Sequence, residues 1–410
     1  MRQNELSTWG DRYSMAGRHS RAWKVLTEPR AEAIANRLGL GKAETAQACL
    51  GCHSDHVTVT LRGSPYYNVS DGVGCEACHG GSGKAGDEEG WLTTHYGAAT
   101  NHAMNVSRGL NALDEPKVRA SVCLDCHFGS ARPGQFVSHR MMSAGHPAVS
   151  FELDLFSELQ RHYDAPRRSA DGTIDLSRGR QSVGAIKTWA VGQAMALERA
   201  LTLYGSAAGE DGAFPEFYFF DCQSCHRTIS RDRNARPKFE VNGWRNLPSG
   251  MPPFNDENMI LLSAASRTLD KGLAARFDID ARAFHAGLAK DRASAVAAAR
   301  QLRATTALLS SSLAAKPFTR DETTGILQAI VSEALAPRYS DYAGGAQAVM
   351  AIDTLVKGMI ASGQMEASRA KALRPDIDRA YQAVDEPSKY DPATFRASLT
   401  RISATLRGAR

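Results

Sequence analysis

Residues 49–53 read CLGCH, and the pattern returns as CEACH at 75–79, CLDCH at 123–127 and CQSCH at 222–226. All eight cysteines of the chain belong to these four motifs: Cys49, Cys52, Cys75, Cys78, Cys123, Cys126, Cys222 and Cys225. A histidine follows each second cysteine, and the four are His53, His79, His127 and His226. The chemistry that requires this arrangement decides what kind of fold to expect.

A Cys-x-x-Cys pair by itself also fits zinc ribbons, thioredoxin-like redox sites and local disulfides. Histidine makes up 12 of the 410 residues, so four chance histidines at one offset have odds of roughly one in a million. Cys-x-x-Cys-His is the attachment motif of c-type haem. We therefore predict four covalently bound haems c, with iron as the metal.

The spacing matches the chemistry of attachment. Cysteines at i and i+3 lie on one side of a helical turn, so both sulfurs can form thioethers to one edge of a porphyrin. The eight cysteines are thus predicted thioether residues, and the four motif histidines are predicted proximal iron ligands. Because the thiols must be handled outside the reducing cytoplasm, we expect a periplasmic or otherwise extracytoplasmic protein, exported by a signal absent from these residues.

The second axial ligands must come from elsewhere in the chain. Eight further histidines are available: His19, His56, His95, His102, His139, His146, His162 and His285. His285 lies in an alanine-rich helical segment far from the motifs and is expected to be an ordinary surface or core residue. His56 is too close to His53 to reach the opposite face of the same haem, which leaves only another haem for it. A His/Met centre also stays open, through Met15, Met104, Met141 or Met142.

Several segments together carry a resemblance to a known family: SMAGRHSRAW at 14–23, CLGCH, GVGCEACHG at 72–80, CLDCH, and VSHRMMSAGHPAVSFELDLF at 137–156. They resemble the multihaem c-type cytochromes related to the tetrahaem cytochrome that accepts electrons from hydroxylamine oxidoreductase, over roughly residues 9–230. The resemblance implies distal iron ligands at His19, His95, His139 and His146. Weaker distal candidates are His102 and His162. The chain departs from the family in lacking a motif before His19 and in having an additional one at Cys222.

Composition places the chain among ordinary globular proteins, with 43% hydrophobic and 23% charged residues. No stretch approaches the eighteen or so consecutive apolar residues of a spanning helix, and Met1 to Arg12 are polar rather than signal-like. The formal net charge is +5. Four ferric bis-histidine haems would bring it to about +1 and four ferrous ones to about −3, so nothing favours a nucleic-acid partner.

The pattern along the chain predicts a mainly α protein in two parts. Residues 1–237 are expected to form an irregular, haem-packed tetrahaem cytochrome c domain, residues 238–255 a linker, and residues 256–410 an antiparallel helical bundle without haem. Apolar spacing predicts helices at 150–163 and 182–204, and the aromatic run 217–220 is expected in the core.

Five or six helices are expected in the bundle. Apolar residues from Phe284 to Leu313 fall on one face and predict a single helix that ends at Lys316. Thr319 with Glu322 predicts a capping box, and Asp391 followed by proline predicts the start of the last helix. The bundle is interpreted as a docking, lid or oligomerisation module, with plain structural support as an equal alternative.

These features favour an electron-transfer relay between redox protein partners. The alternatives are an oxidoreductase that acts on a small nitrogen or sulfur compound at a haem with an open axial position, and a gas-binding cytochrome. An open site needs acid or base groups converging beside the iron, which the sequence does not specify.

Overall fold

The computed structural model describes residues 5–56, 64–65, 67–83, 90–92, 101–149, 151–162, 184–207, 214–226, 245, 247–248, 251–336 and 341–408. Within these residues the protein is helical and has no strand, apart from an isolated antiparallel bridge between Phe220 and Phe254. The predicted mainly α class is confirmed. None of the helices in these ranges is both long and apolar enough to cross a membrane.

The chain divides into two compact units. Unit 1 comprises residues 1–151 and 156–183, and unit 2 comprises residues 152–155 and 184–410. Three of the four motifs therefore belong to unit 1, and the motif at 222–226 belongs to unit 2. The predicted linker at 238–255 stays a prediction. The two units are defined by how the residues pack, whereas the predicted domains are defined by which part of the chain binds haem.

Unit 1 consists of short helices joined by irregular segments, as expected for this part of the chain. Its helices are α1 (Glu5–Trp9), α2 (Pro29–Leu38), α3 (Gln47–His53), α4 (Cys75–His79), α5 (His102–Ser107), α6 (Pro116–His127) and α7 (His139–Ser143). The next helix, α8 (Leu153–Leu159), contributes residues to the ranges of both units and is shorter than the predicted 150–163.

A small apolar core supports the first motif. Leu26, Ala35 and Ala43 are buried together, and the partly buried Trp23 and Leu50 pack on them. Leu50 belongs to α3, so this core holds the helix that ends in CLGCH.

Unit 2 is built from longer helices. They are α9 (Ala185–Tyr204), α10 (Cys222–Cys225), α11 (Glu257–Ser266), α12 (Lys271–Leu288), α13 (Arg292–Ala315), α14 (Arg320–Leu335), α15 (Tyr342–Ala361), α16 (Ala367–Ala383) and α17 (Pro392–Arg407). The described residues after 256 thus hold seven helices, where five or six were expected. The prediction of one helix from Phe284 to Leu313 is wrong: α12 ends at Leu288, and the Asp291 side chain caps a new helix by accepting from the Ser294 N–H at 2.7 Å.

Helix α9 is the core helix of unit 2. Fourteen of its 20 residues are buried, including Trp189, Leu197 and Tyr204, and it packs against α11, α13 and α15. A helix that is buried around most of its circumference belongs to the interior of a bundle. The predicted helix at 182–204 is therefore confirmed, and it completes the bundle that was expected to begin at 256.

Local capping signals in the sequence place other helix ends correctly. The Thr319–Glu322 capping box is present, with the Thr319 N–H donating to the Glu322 carboxylate at 2.9 Å. Asp391 caps α17 by accepting from the Ala393 N–H at 3.0 Å, and Pro392 occupies the first helical position. Both predictions are confirmed.

The aromatic run before the fourth motif lies partly in the core of unit 2. Phe219 is buried and stacks almost parallel to Phe254, with ring centroids 6.1 Å apart. The rings of Tyr204 and Phe284 each contact Phe254 in an edge-to-face arrangement. Phe220 is also buried, whereas Phe217 is 58% exposed, so the expectation of a core position applies to only part of the run.

Candidate functional site

Each motif is helical and has its histidine at or just past the helix end. CLGCH ends α3, CEACH is the whole of α4, and CLDCH ends α6. CQSC forms α10, and the His226 N–H donates to the Cys222 carbonyl at 2.8 Å, which continues the turn. Both cysteine side chains of each motif therefore project from one helical turn, as thioether attachment requires.

Two of the motif thiols lack the lowered pKa of a catalytic cysteine. Burial raises the pKa of Cys78 to about 11 and that of Cys123 to about 12. A catalytic cysteine requires the opposite shift, because the thiolate is the reactive form. The described part of the chain also contains no cluster of three or more His, Cys, Asp or Glu side chains able to hold a metal ion. The described geometry therefore gives no support to the zinc alternative.

Three of the four motif histidines face a second histidine from elsewhere in the chain. The ring centroids of His127 and His19 are 6.0 Å apart, with an angle of 84° between the ring planes. The corresponding values are 6.4 Å and 85° for His53 with His146, and 6.2 Å and 78° for His79 with His162.

These separations fit one metal ion between each pair of rings. A metal–imidazole bond is about 2.0 Å long and the ligating nitrogen lies about 1 Å from the ring centroid, so two imidazoles on opposite sides of one metal have centroids about 6 Å apart. A direct edge-to-face contact between two rings covers the same separations, and it is the haem motif at one histidine of each pair that favours an iron between them. The residues present thus fit a haem iron bound from both faces by histidine.

Backbone carbonyls fix the orientation of three rings, namely both rings of the His53–His146 pair and the His162 ring of the His79–His162 pair. The His53 Nδ1 atom lies 2.6 Å from the Ala22 carbonyl oxygen, and the His146 Nδ1 atom lies 2.8 Å from that of Pro147. The His162 Nδ1 atom lies 2.9 Å from the Gln160 carbonyl oxygen. Because a carbonyl only accepts, Nδ1 carries the proton in each ring and Nε2 keeps its lone pair for a metal.

Burial keeps the rings of two pairs in the form that binds a metal. Burial, with a smaller contribution from the neighbouring His19, lowers the pKa of His127 to about 4. Burial also lowers the pKa of His19, His53 and His146 below the ordinary histidine value. These four imidazoles are therefore neutral at physiological pH, as iron ligation requires.

Long-range hydrogen bonds position the partner histidines. Gly145 adopts a φ of +116°, and Arg30 donates to its carbonyl at 2.8 Å, which fixes the chain just before His146. On the His19 side, the Val73 N–H donates to the His19 carbonyl at 3.0 Å. A side chain at Gly72 would meet that carbonyl, since its Cβ would lie 2.6 Å from the oxygen.

Gln160 connects two partner histidines. Its side-chain Nε2 donates to the Ala16 carbonyl at 2.8 Å, and its side chain also hydrogen-bonds His19. Its backbone carbonyl receives the His162 ring N–H. One residue of the segment after α8 thus orients the histidines of two different pairs.

The helices that carry the first three motifs are joined to one another. The Asp55 carboxylate accepts from the Gly74 N–H at 2.6 Å, which links the end of the first motif to the start of the second. Helices α3 and α4 both pack against α6. The three candidate centres of unit 1 therefore form one assembly.

The fourth motif has its own anchorage in unit 2. The Asp221 N–H donates to the Pro253 carbonyl at 2.9 Å, beside the bridge between Phe220 and Phe254. Nearby, the buried Arg245 forms ion pairs with Asp256 and with Asp341.

The remaining predicted histidines have other placements. His139 begins α7, and the His102 Nε2 atom lies 3.0 Å from an Asp114 carboxylate oxygen. His95 lies outside the described residues. These three stay predicted distal candidates, whereas His162, one of the two weaker candidates in the sequence, forms one of the three pairs. His285, expected to be an ordinary residue, is buried in unit 2 with its Nε2 atom 3.3 Å from Asp256.

A family model described as Cytochrome c554 and c-prime matches residues 6–80, less than a fifth of the chain. The matched segment contains His19 and the first two motifs, and it ends directly after His79. No curated protein and no solved structure matches the chain. The match supports a c-type cytochrome that binds haem covalently and takes part in electron transfer.

Proposed function

We propose that this protein is a tetrahaem c-type cytochrome that relays electrons between redox protein partners. The proposal depends on one observation above all. The rings of three motif histidines each lie near the ring of another histidine, at centroid separations of 6.0–6.4 Å. Four complete motifs that use every cysteine support the number of haems.

The proposed centres have named ligands in unit 1. His53 with His146, His79 with His162, and His127 with His19 would hold three irons from both faces. Thioethers would form at the two cysteines of each motif, including the one in unit 2, where His226 is the proximal ligand. When bound, a haem supplies a one-electron couple between ferric and ferrous iron.

The protein's own groups prepare these centres for electron exchange. The carbonyls at Ala22 and Pro147 fix the tautomer and the plane of both rings of the His53–His146 pair, and the carbonyl at Gln160 fixes those of His162. Two strong ligands held in place keep the coordination the same in both oxidation states, so little rearrangement accompanies electron exchange.

The alternatives need an open axial position. In each of the three pairs the second histidine would occupy the axial position that a substrate or a gas needs, which supports a carrier at these centres. The location follows from the chemistry: thioether attachment and the matched family both support an extracytoplasmic protein. The same chemistry supports redox proteins, rather than nucleic acid, as partners.

The intact mass of the purified protein tests the haem content, and the spin state of its iron tests the pairs. We expect an increase of four haem masses over the polypeptide, and low-spin signals for the three paired centres in the oxidised protein. Zinc in elemental analysis, or fewer than four haems, would refute the proposal.

His162→Ala is the most informative variant. From the sequence, His162 is only a weaker distal candidate, whereas its ring centroid lies 6.2 Å from that of His79. We expect one low-spin centre to become high-spin and to bind carbon monoxide after reduction, with haem content unchanged. His56→Ala is the matched control and should leave the spectrum as in the parent. An unchanged spectrum in His162→Ala would remove this pair from the proposal.

A further inference from the structure

A buried amide lies between the first and the third motif. Gln135 is 3% exposed, and its Nε2 atom donates to the Gly51 carbonyl at 2.9 Å and contacts the Cys126 sulfur at 3.7 Å. Its Oε1 atom accepts from the Ser130 hydroxyl at 2.6 Å. Both N–H groups and the carbonyl of this amide are thus used, which is what a buried polar side chain requires.

The backbone around Gln135 approaches α3 more closely than side chains would permit. A Cβ atom on Gly51 would overlap the Gly134 carbonyl, and a Cβ atom on Gly134 would overlap the Gln47 carbonyl. Gly134 also adopts a φ of +77°, which favours glycine. The loop that carries Gln135 is therefore held directly against the helix of the first motif.

This contact brings together one sulfur from each of the two motifs. The Cys52 sulfur lies 3.7 Å from the Gly134 carbonyl, and the Cys126 sulfur lies 3.9 Å from the Gly51 carbonyl. The two cysteine side chains are also within hydrogen-bond reach of each other. The attachment edges of the first and third haems would therefore lie side by side at Gln135.

Haem attachment changes which of these contacts persist. A thioether sulfur has no hydrogen, so Cys52 and Cys126 can no longer donate to each other or to a carbonyl. A thioether still accepts weakly. The two N–H groups of Gln135 are then the donors left among these contacts, one to the first motif and one to the sulfur of the third.

We infer that Gln135 is a positioning residue that fixes the spacing of the first and third haem sites and, through its N–H donors to the Gly51 carbonyl of the first motif and the Cys126 sulfur of the third, tunes their reduction potentials. The inference rests on the proposed function. A hydrogen-bond donor beside the haem edge favours the form with more electron density, the reduced one. Loss of the donor should therefore lower the potential at this pair.

The test is a spectroelectrochemical titration of the holoprotein with Gln135→Met, which keeps the length of the side chain and removes both donors. Signals lost in His146→Ala and in His19→Ala identify the first and third haems. We expect the potentials of these two haems to fall while those of the other two stay as in the parent. Asn111→Leu is the matched control, because Asn111 donates to the Cys78 carbonyl at 2.9 Å and so supports only the second motif.

The inference is overturned if the first and third potentials are unchanged, if all four move alike, or if Asn111→Leu moves the same two. Should Gln135→Met not assemble, Gln135→Leu decides, since it likewise removes the amide donors and adds no charge. Loss of haem confined to the first and third motifs supports the inference, and loss of all four haems contradicts it. The haem content of the parent reports separately on the proposed function.

Discussion

Glu257 makes the stability of unit 2 depend on pH. This residue begins α11, and its Oε2 atom is shielded from solvent and has no hydrogen-bond partner among the residues that the structure describes. Burial, with smaller contributions from the negative charges of Asp341 and Asp256, raises its pKa to about 8 against the opposing charge of Arg245. Tyr218 faces the same carboxyl, and burial and Glu257 both raise its pKa. At neutral pH the folded protein therefore holds this carboxyl mainly in its protonated form.

The sign follows from linkage between protonation and folding. The pKa of Glu257 in the folded protein lies above the value of 4.5 for an exposed glutamate. The contribution of Glu257 to the stability of the fold is therefore fully present below pH 4.5 and is lost as the pH rises through 8. The difference between these two pKa values corresponds to about 5 kcal/mol of unfolding free energy when the carboxyl is fully ionised. Relaxation of the surroundings reduces this loss of stability to roughly 2–5 kcal/mol. Glu257→Gln removes the ionisation and keeps the shape.

Urea denaturation of the holoprotein, followed by far-ultraviolet circular dichroism from pH 4 to pH 9, measures the difference. We expect Glu257→Gln to equal the parent near pH 4 within about 0.5 kcal/mol and to exceed it by roughly 2–5 kcal/mol at pH 9. Glu366→Gln, at an exposed carboxyl before α16, is the control for loss of one charge and should show no such trend. A difference independent of pH, or one that favours the parent at high pH, would refute the reasoning.

Three further changes have defined outcomes. His146→Ala should convert one low-spin haem to high-spin without loss of haem, as read by electron paramagnetic resonance, because its ring faces His53. Arg245→Met should cost about 3–5 kcal/mol in thermal denaturation because Asp256 and Asp341 stay buried, whereas Arg267→Met, at a half-exposed ion pair, should cost less than about 1 kcal/mol. Gly192→Ala should destabilise unit 2 by about 1–3 kcal/mol because its Cβ would lie 2.6 Å from that of Leu153, and Gly325→Ala, with open space in α14, should stabilise it by about 0.5–1 kcal/mol.

The features predicted correctly are those that depend on neighbours in sequence. A capping box spans four residues, and the Asp391–Pro392 start of α17 needs only local backbone geometry. The prediction of a single helix from Phe284 to Leu313 is wrong because the apolar spacing continues across a break in the helix. Asp291 caps a new helix at that break. Periodicity reports which face is apolar, and it does not report where hydrogen bonding along the helix stops.

The histidine pairs could not be read from the sequence, because contacts between distant segments position them. Arg30 reaches the carbonyl of Gly145, 115 residues away, and Gln160 reaches that of Ala16, 144 residues away. His162 joins His79 only because the segment after α8 is held in this way. The sequence supplies enough histidines, and tertiary hydrogen bonds decide which of them face a motif.

The arrangement in unit 1 favours transport of electrons because its connections join the motifs to each other. Asp55 links the first motif to the second, and Gln135 links the first to the third. A site that activates a substrate needs one iron with a free face and convergent acid or base groups. On the proposed function, the half-buried, neutral imidazoles of His19 and His146 would close the second face of two irons, and His162 would close that of a third. The carrier and enzyme hypotheses therefore differ at the centre of His226, where a low-spin signal indicates a relay throughout and a high-spin, carbon-monoxide-binding signal indicates chemistry in unit 2.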